Sequence, residues 1–168
     1  IKAFSSLPQT DLMLCQLNII GDGPKLHQLK ALWENNIHVM FHGKKKRENM
    51  APFFKASDFL IVSLVDQPIF SVTVPSKLQT YIAAKKPILA FINGDTADLI
   101  KEYNLGEHAH PSDIDGIMKV FQDCIRMDKE DRNPYILESE KLLNGMFNKE
   151  KTISQLLETL VTPTRLKE

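Results

Sequence analysis

The sequence predicts an α/β fold, a parallel sheet with helices on both faces, and three observations carry that prediction. Short apolar runs alternate with helically spaced ones from Leu12 to Ala109, the rhythm of repeated βα units. Small residues (Gly21, Gly43, Ser63 and Gly94) fall where the apolar runs end. In open parallel sheets, ligands bind outside those carboxyl ends. Finally, 168 residues that are 43% hydrophobic suffice for one sizeable core, so residues 1–168 read as a single domain.

Ile1–Phe4 reads as the last turn of a helix, stopped at Pro8, and Leu12–Ile20 as the first strand, ending at the glycine turn. Lys25–Glu34 has helical spacing in Leu26, Leu29, Leu32 and Trp33, and Asn35 with Asn36 closes it. Ile37–Phe41 is a short strand ended by Gly43, Asn49–Ala56 a helix, and Phe59–Leu64 a buried strand. Asp66–Val74 is expected as a loop, Ser76–Ala84 as a helix, and Pro87–Ile92 as a strand. Thr96–Tyr103 is a helix capped by Asp95 or Thr96, followed by a short strand at Glu107–Ala109. From Ser112 the chain reads as helical: Asp113–Met127, Lys129–Leu143 and Lys149–Val161. Ser112 with Asp115 forms the expected capping box of the first.

Charge and cysteine content narrow the function classes. Twenty-one basic residues balance 21 acidic ones, which argues against a nucleic-acid binder, for which a basic domain is expected. Cys15 and Cys124 read as reduced thiols of a cytoplasmic protein rather than a disulfide scaffold. No apolar run reaches the roughly 18 residues of a membrane span, and no signal peptide is evident.

Two turns carry the chemistry. Pro75-Ser76-Lys77 opens a helix, whose first N–H groups lack partners and whose dipole is positive there. Such an opening holds phosphate, and Ser76 adds a hydroxyl and Lys77 a cation. Gly21-Asp22-Gly23-Pro24 joins strand to helix, with glycines that permit close backbone approach and a proline suited to a first helical turn. Leu26 stands at the third glycine position of a dinucleotide fingerprint, which leaves nicotinamide chemistry little support. Together the turns point to a phosphorylated small molecule.

Other features have simpler accounts. Lys44-Lys45-Lys46-Arg47 is a solvated basic run, with phosphate steering or an acidic membrane surface as alternatives. His108 and His110 share a strand face, but no third metal ligand stands at a suitable spacing. Asp113 and Asp115 follow Ser112 at a helix start, where capping explains them without a metal. There is no nucleophile elbow and no cysteine with a positioned base.

The chain also carries a family resemblance. LNIIGDGPKLHQLK, VMFHG, FFKASDFLIVSL, TVPSKLQTYIAAKKPILA and NGDTADLIKEYNLG follow one another between Leu17 and Gly106, with a weaker match from Met146-Phe147 onward. In this order they resemble the C-terminal, donor-binding domain of family 4 retaining glycosyltransferases of the two-Rossmann GT-B architecture. The resemblance implies a Rossmann-like domain, the C-terminal half of a GT-B fold, that binds a nucleoside-diphosphate sugar, with uridine as the nucleoside. It implies diphosphate contacts at Gly21, Gly23, Ser76, Lys77 and Leu78, with Ser76 and Lys77 also catalytic. The nucleobase would meet His42, Gly43 and Lys44, the ribose Thr80, and the donor sugar Phe70, Ser71, Val72 and Thr73. No cofactor and no metal are implied. The setting implied is bacterial surface-polysaccharide (O-antigen) biosynthesis, with a polysaccharide or lipid-linked acceptor at the cytoplasmic, inner face of the plasma membrane. The acceptor would bind an N-terminal domain of the same protein. Against the family pattern, this chain reads as a fragment that begins after the domain's first strand and is inactive alone.

Three positions depart from that pattern. Many members carry two glutamates seven residues apart, where this chain has Val72 and Thr80. A threonine hydroxyl cannot offer the two charge-assisted hydrogen bonds of a carboxylate, so ribose binding is expected to be weaker or differently arranged. Lys85 stands where the family commonly has glycine. It either holds a left-handed conformation at some cost or ends the helix differently, and is expected to be a harmless surface substitution. Two alternatives stay open at this point: a sugar-nucleotide 2-epimerase half-domain, and a non-catalytic nucleotide-binding or partner-docking module.

Overall fold

The computed structural model describes residues 1–161. In chain order the elements are α1 (Lys2–Ser5), α2 (Gln9–Leu12), β1 (Leu17–Ile20), α3 (Leu26–Trp33), β2 (Val39–Gly43), α4 (Ala51–Ala56), β3 (Leu60–Ser63), α5 (Pro68–Ser71) and α6 (Ser76–Ala83). There follow β4 (Ile88–Phe91), α7 (Asp95–Glu102), β5 (Gly106–Ala109), α8 (Ile114–Arg126), α9 (Lys129–Asn144) and α10 (Lys149–Val161), with a short 3₁₀ turn at Arg47–Asn49 before α4.

Every described strand pairing is parallel: β1 with β2, β3 with β4, and β4 with β5. The strands form two ladders, β1–β2 and β3–β4–β5, and among the described residues no ladder joins β1 to β3. A cleft of about 1610 Å³ lies there instead, lined by Leu17–Ile20 on one side and Leu60, Ile61 and Ser63 on the other.

The helices cover both faces, and the alternation of side chains along a strand explains how. Ile88, Ala90 and Ile92 pack with Leu78 and Ile82 of α6, Ala97 and Ile100 of α7, and Leu142 of α9. The intervening Leu89 and Phe91 point the other way, onto Ala3, Phe4, Ile117, Val120 and Phe121 of α1 and α8. Phe121 stands edge-on to Phe4 at 5.4 Å and tilted against Phe91 at 5.3 Å. A strand buried on both faces needs a continuous apolar run, which is what Ile88–Ile92 supplies.

Several element boundaries are corrected. The first strand is confined to Leu17–Ile20, because Pro8 caps α2 and turns Leu12 into the core beneath α8. The buried Asp11 carboxylate fixes that helix by accepting from Gln122 at 3.0 Å and Arg126 at 3.5 Å. The second strand begins at Val39 rather than Ile37, which is exposed; Asn36 Oδ1 accepts from the His38 amide and bends the chain. The segment Asp66–Val74 contains a helical turn, α5, started by Pro68. The N-cap of α8 is Asp113, which accepts from the Gly116 amide at 2.9 Å, not Ser112. Neither Asp95 nor Thr96 caps α7. Gly94 occupies that position without a side chain, and the Thr96 hydroxyl points back to Thr73. Lys85 resolves toward the left-handed alternative, with φ 53°.

Candidate functional site

The carboxyl end of β3 and the opening of α6 make one wall of the site. Ile61, Val62, Ser63 and Leu64 line a pocket of about 250 Å³ with Pro75, Ser76 and Lys77. Pro75 is extended (φ −64°, ψ 136°), so the helix begins abruptly at Ser76. The Leu78 amide donates to the Pro75 carbonyl at 2.9 Å. Among the described residues no acceptor meets the Ser76 or Lys77 amide. Ser76 and Lys77 are exposed, and among the described residues no carboxylate pairs with Lys77. Two unpaired amides, a hydroxyl and an uncompensated cation at a helix start are the groups from which anion sites are built.

The ends of β1 and β2 carry the other expected contacts, and β1 alone borders the large cleft. The Gly21 amide donates to the Gly43 carbonyl at 3.0 Å, which draws the two predicted glycine turns together. Lys44 Nζ lies 3.2 Å from Asp22 Oδ2, and His42 Nε2 lies 2.7 Å from Asn18 Oδ1. The Lys44–Asp22 pair is exposed and contributes little to stability, but it partly neutralises the basic run at this edge. Asn18, Ile19 and Ile20 of β1 border the large cleft together with Ser63, Lys77, Thr80 and Tyr81. Burial raises the Tyr81 phenol above its ordinary value.

Comparison with protein families matches Glycosyl transferases group 1 over residues 1–141. The chain belongs to that family. Among solved structures, HepE of Anabaena in complex with UDP-glucose is similar, with a TM-score of 0.70 at 18% identity over 95% of this chain and 43% of HepE. WaaG, a glycosyltransferase involved in lipopolysaccharide biosynthesis, is similar with a TM-score of 0.68 at 18% identity over 86% of this chain and 38% of WaaG. These likenesses confirm the Rossmann-like fold of a GT-B glycosyltransferase domain. The chain thus spans less than half the length of either structure. Comparison with curated proteins gave no match.

Within this glycosyltransferase domain the expected site residues fall into three groups, with Leu78 outside them. Ser76, Lys77 and Thr80 are exposed on α6, Ser76 lining the smaller pocket, Thr80 the large cleft and Lys77 both. Gly21, His42, Gly43 and Lys44 gather at the paired ends of β1 and β2, lining neither cavity, while Gly23 sits in the turn ahead of α3, its carbonyl accepting from the Leu26 amide. Leu78 differs from both groups: its side chain is fully buried and its amide is used inside the turn. Phe70, Ser71, Val72 and Thr73 stand apart from both cavities, on α5 and the turn after it, with Val72 70% exposed.

Sequence reasoning missed a polar cluster beside this segment. Asn93 Nδ2 is 3.5 Å from Asp66 Oδ1, and His110 Nε2 is 3.6 Å from Asp66 Oδ2. His108 is engaged separately, its Nε2 lying 2.7 Å from the Ile92 carbonyl, and burial lowers its pKa below the usual histidine value. The available signal was Asn93-Gly94 directly after a strand, a turn dipeptide with a side chain able to bond its neighbour. Among the described residues no metal-ligating cluster forms, and no helix is long and apolar enough to cross a membrane.

Proposed function

We propose that this chain is the donor-binding domain of a retaining, family 4 glycosyltransferase, holding a UDP-sugar between the Gly21–Gly43 wall and the opening of α6. The observation that carries the reading is that opening: Ser76 and Lys77 exposed, with free amides, at the carboxyl end of β3. The complexes of HepE with UDP and with UDP-glucose support a nucleotide-sugar donor. WaaG's part in lipopolysaccharide biosynthesis supports a polysaccharide or lipid-linked acceptor.

In this reading the diphosphate lies on the α6 amides, the Ser76 hydroxyl and Lys77. As the glycosidic bond breaks, negative charge grows on the departing diphosphate, and preorganised dipoles and a cation stabilise it there without a metal. Thr80, exposed on α6, meets the ribose with a hydroxyl only. The acceptor binds a separate N-terminal domain. α10 packs toward that domain through Ile153, Leu156 and Leu157, each roughly half exposed here. The cleft between β1 and β3 takes the domain's first strand, which gives the strand order of a doubly wound nucleotide-binding sheet.

Lys77→Ala in the full-length enzyme tests the mechanism. Turnover should fall more than donor affinity, because Lys77 interacts most strongly in the transition state. A change in apparent donor affinity alone makes Lys77 an anchor. This chain by itself should bind UDP weakly, and more tightly than inorganic phosphate, by calorimetry. It should transfer no sugar to simple or lipid-linked acceptors, and transfer above donor hydrolysis would overturn the two-domain reading.

A further inference from the structure

We propose that the corner between β4 and α7, Asn93 to Thr96, is a seat that holds the Ser71–Thr73 segment, making Gly94 and Thr96 positioning residues for the donor site. The proposal rests on the donor reading above. Gly94 has φ 77° and ψ −152°, a conformation essentially confined to glycine. A Cβ there would lie 2.0 Å from the Ser71 carbonyl oxygen and 2.5 Å from its carbon and Cα. The backbone of Ser71 therefore rests directly on the bare Gly94 Cα.

Two residues on, Thr96 is completely buried, and its hydroxyl donates to the Thr73 carbonyl at 2.9 Å. A buried hydroxyl has no water to turn to, so that bond is costly to break. Asn93 Oδ1 stiffens the corner by accepting from the Gly94 amide at 2.8 Å, while its Nδ2 reaches Asp66 at the start of the same segment.

Apolar burial does not do this work. Val65, Ile69, Val72 and Val74 are 62%, 68%, 70% and 48% exposed. A segment so poorly buried takes its position from the few close contacts it makes, and these converge on one corner. Thr73 lies three residues before Ser76, a span of at most roughly 10 Å, so a shift at the seat is passed to the phosphate turn. A misplacement of about 1 Å at a distance from the chemistry can cost on the order of 100-fold in rate.

The test uses the full-length enzyme carrying Thr96→Val, which removes the hydroxyl at nearly constant volume, with Thr96→Ser as the rescue. Two quantities are read: amide exchange at Ser71–Thr73, where the Thr73 amide donates to the Phe70 carbonyl, against Ile88–Phe91, and kcat and KM with UDP-glucose as probe. Thr96→Val should speed exchange in the segment about tenfold with β4 unchanged, and lower kcat about tenfold with little change in KM. Thr96→Ser should restore both. Gly94→Ala attacks the Ser71 side of the same contact, should give the same pattern more strongly, and keeps the test open should Thr96→Val fail to fold. Exchange that rises equally in β4 and the segment, or a segment and kcat unmoved by either variant, would overturn the seat. The exchange measurement needs no substrate: a loosened segment in an enzyme that turns over no nucleotide sugar sinks the donor reading and leaves the seat standing.

Discussion

In the β3–β4–β5 half of the sheet every residue of the central strand is buried, whereas in the β1–β2 half only Val39 is. The helices follow the same division: α6 buries Leu78 and Ile82 completely, and α3 buries no residue. One half is a closed two-faced core, and the other leans on it across a cleft. The residues expected at the site come from both halves: Ser76 and Lys77 from the closed one, and Gly21 and Gly43 from the one with fewer buried residues.

The largest predicted effect tests that division directly. Leu78→Ala removes a fully buried side chain from the α6–β4 packing and should cost about 2–5 kcal/mol in denaturant unfolding. Ile19→Val, at a half-buried position of β1, should cost under about 1 kcal/mol. Equal losses at the two positions would dissolve the contrast. Amide exchange offers a second view: β4 should open only with global unfolding, and β1 at lower free energy.

A smaller effect is predicted at the corner between α6 and β4. Lys85 holds φ 53°, where a side chain on Cβ is strained, and its Nζ pairs with Glu140 at 2.7 Å between half-exposed partners. The strain outweighs an exposed ion pair, whose worth is about 0–1 kcal/mol. Lys85→Gly should therefore stabilise the chain by up to about 1 kcal/mol, seen as a raised thermal midpoint. A lowered midpoint would mean that the Glu140 pair dominates. On the opposite face of the sheet, burial pushes the Cys124 thiol up to about 12, with the charges of Glu107 and Asp123 adding to it. It should resist alkylation at neutral pH until the chain unfolds, as the two-faced core requires.

How legible each part was follows from the same contrast. Phe59–Leu64 and Pro87–Ile92 announced themselves because a strand covered on both faces must be apolar throughout. Leu12–Cys15 misled for the same reason: an apolar run does not distinguish a strand from a short helix packed in a core, and only the distant Gln122 and Arg126 reveal that Asp11 belongs to α2. The site's two turns could be read from glycine, proline and the helix spacing that follows them. The seat at Gly94 and Thr96 could not, since Thr96 bonds a carbonyl 23 residues earlier in the chain. Local composition offers no trace of such a contact, and a threonine at a helix start reads as a cap.

The smallest effect concerns pH and the edge of the closed half. His108 on β5 has a pKa lowered chiefly by burial, with Lys101 and His110 adding to the lowering while its bond to Ile92 and the charge of Asp98 oppose it. The folded value thus lies below the ordinary 6.5. Above that pH His108 is neutral in both states and its environment contributes no pH dependence. As the pH falls below 6.5 the unfolded chain takes up the proton first, so stability declines and levels off only once the folded value is passed. His108→Gln keeps a side-chain N–H for the Ile92 carbonyl and removes the titration. Between about pH 6.5 and pH 5 the wild type should lose stability more steeply than the variant in denaturant titrations. The remaining histidines are common to both proteins, so the difference isolates this one. Parallel curves would show that His108 carries its proton as easily folded as unfolded, and that the β5 edge is wetter than the rest of the two-faced core.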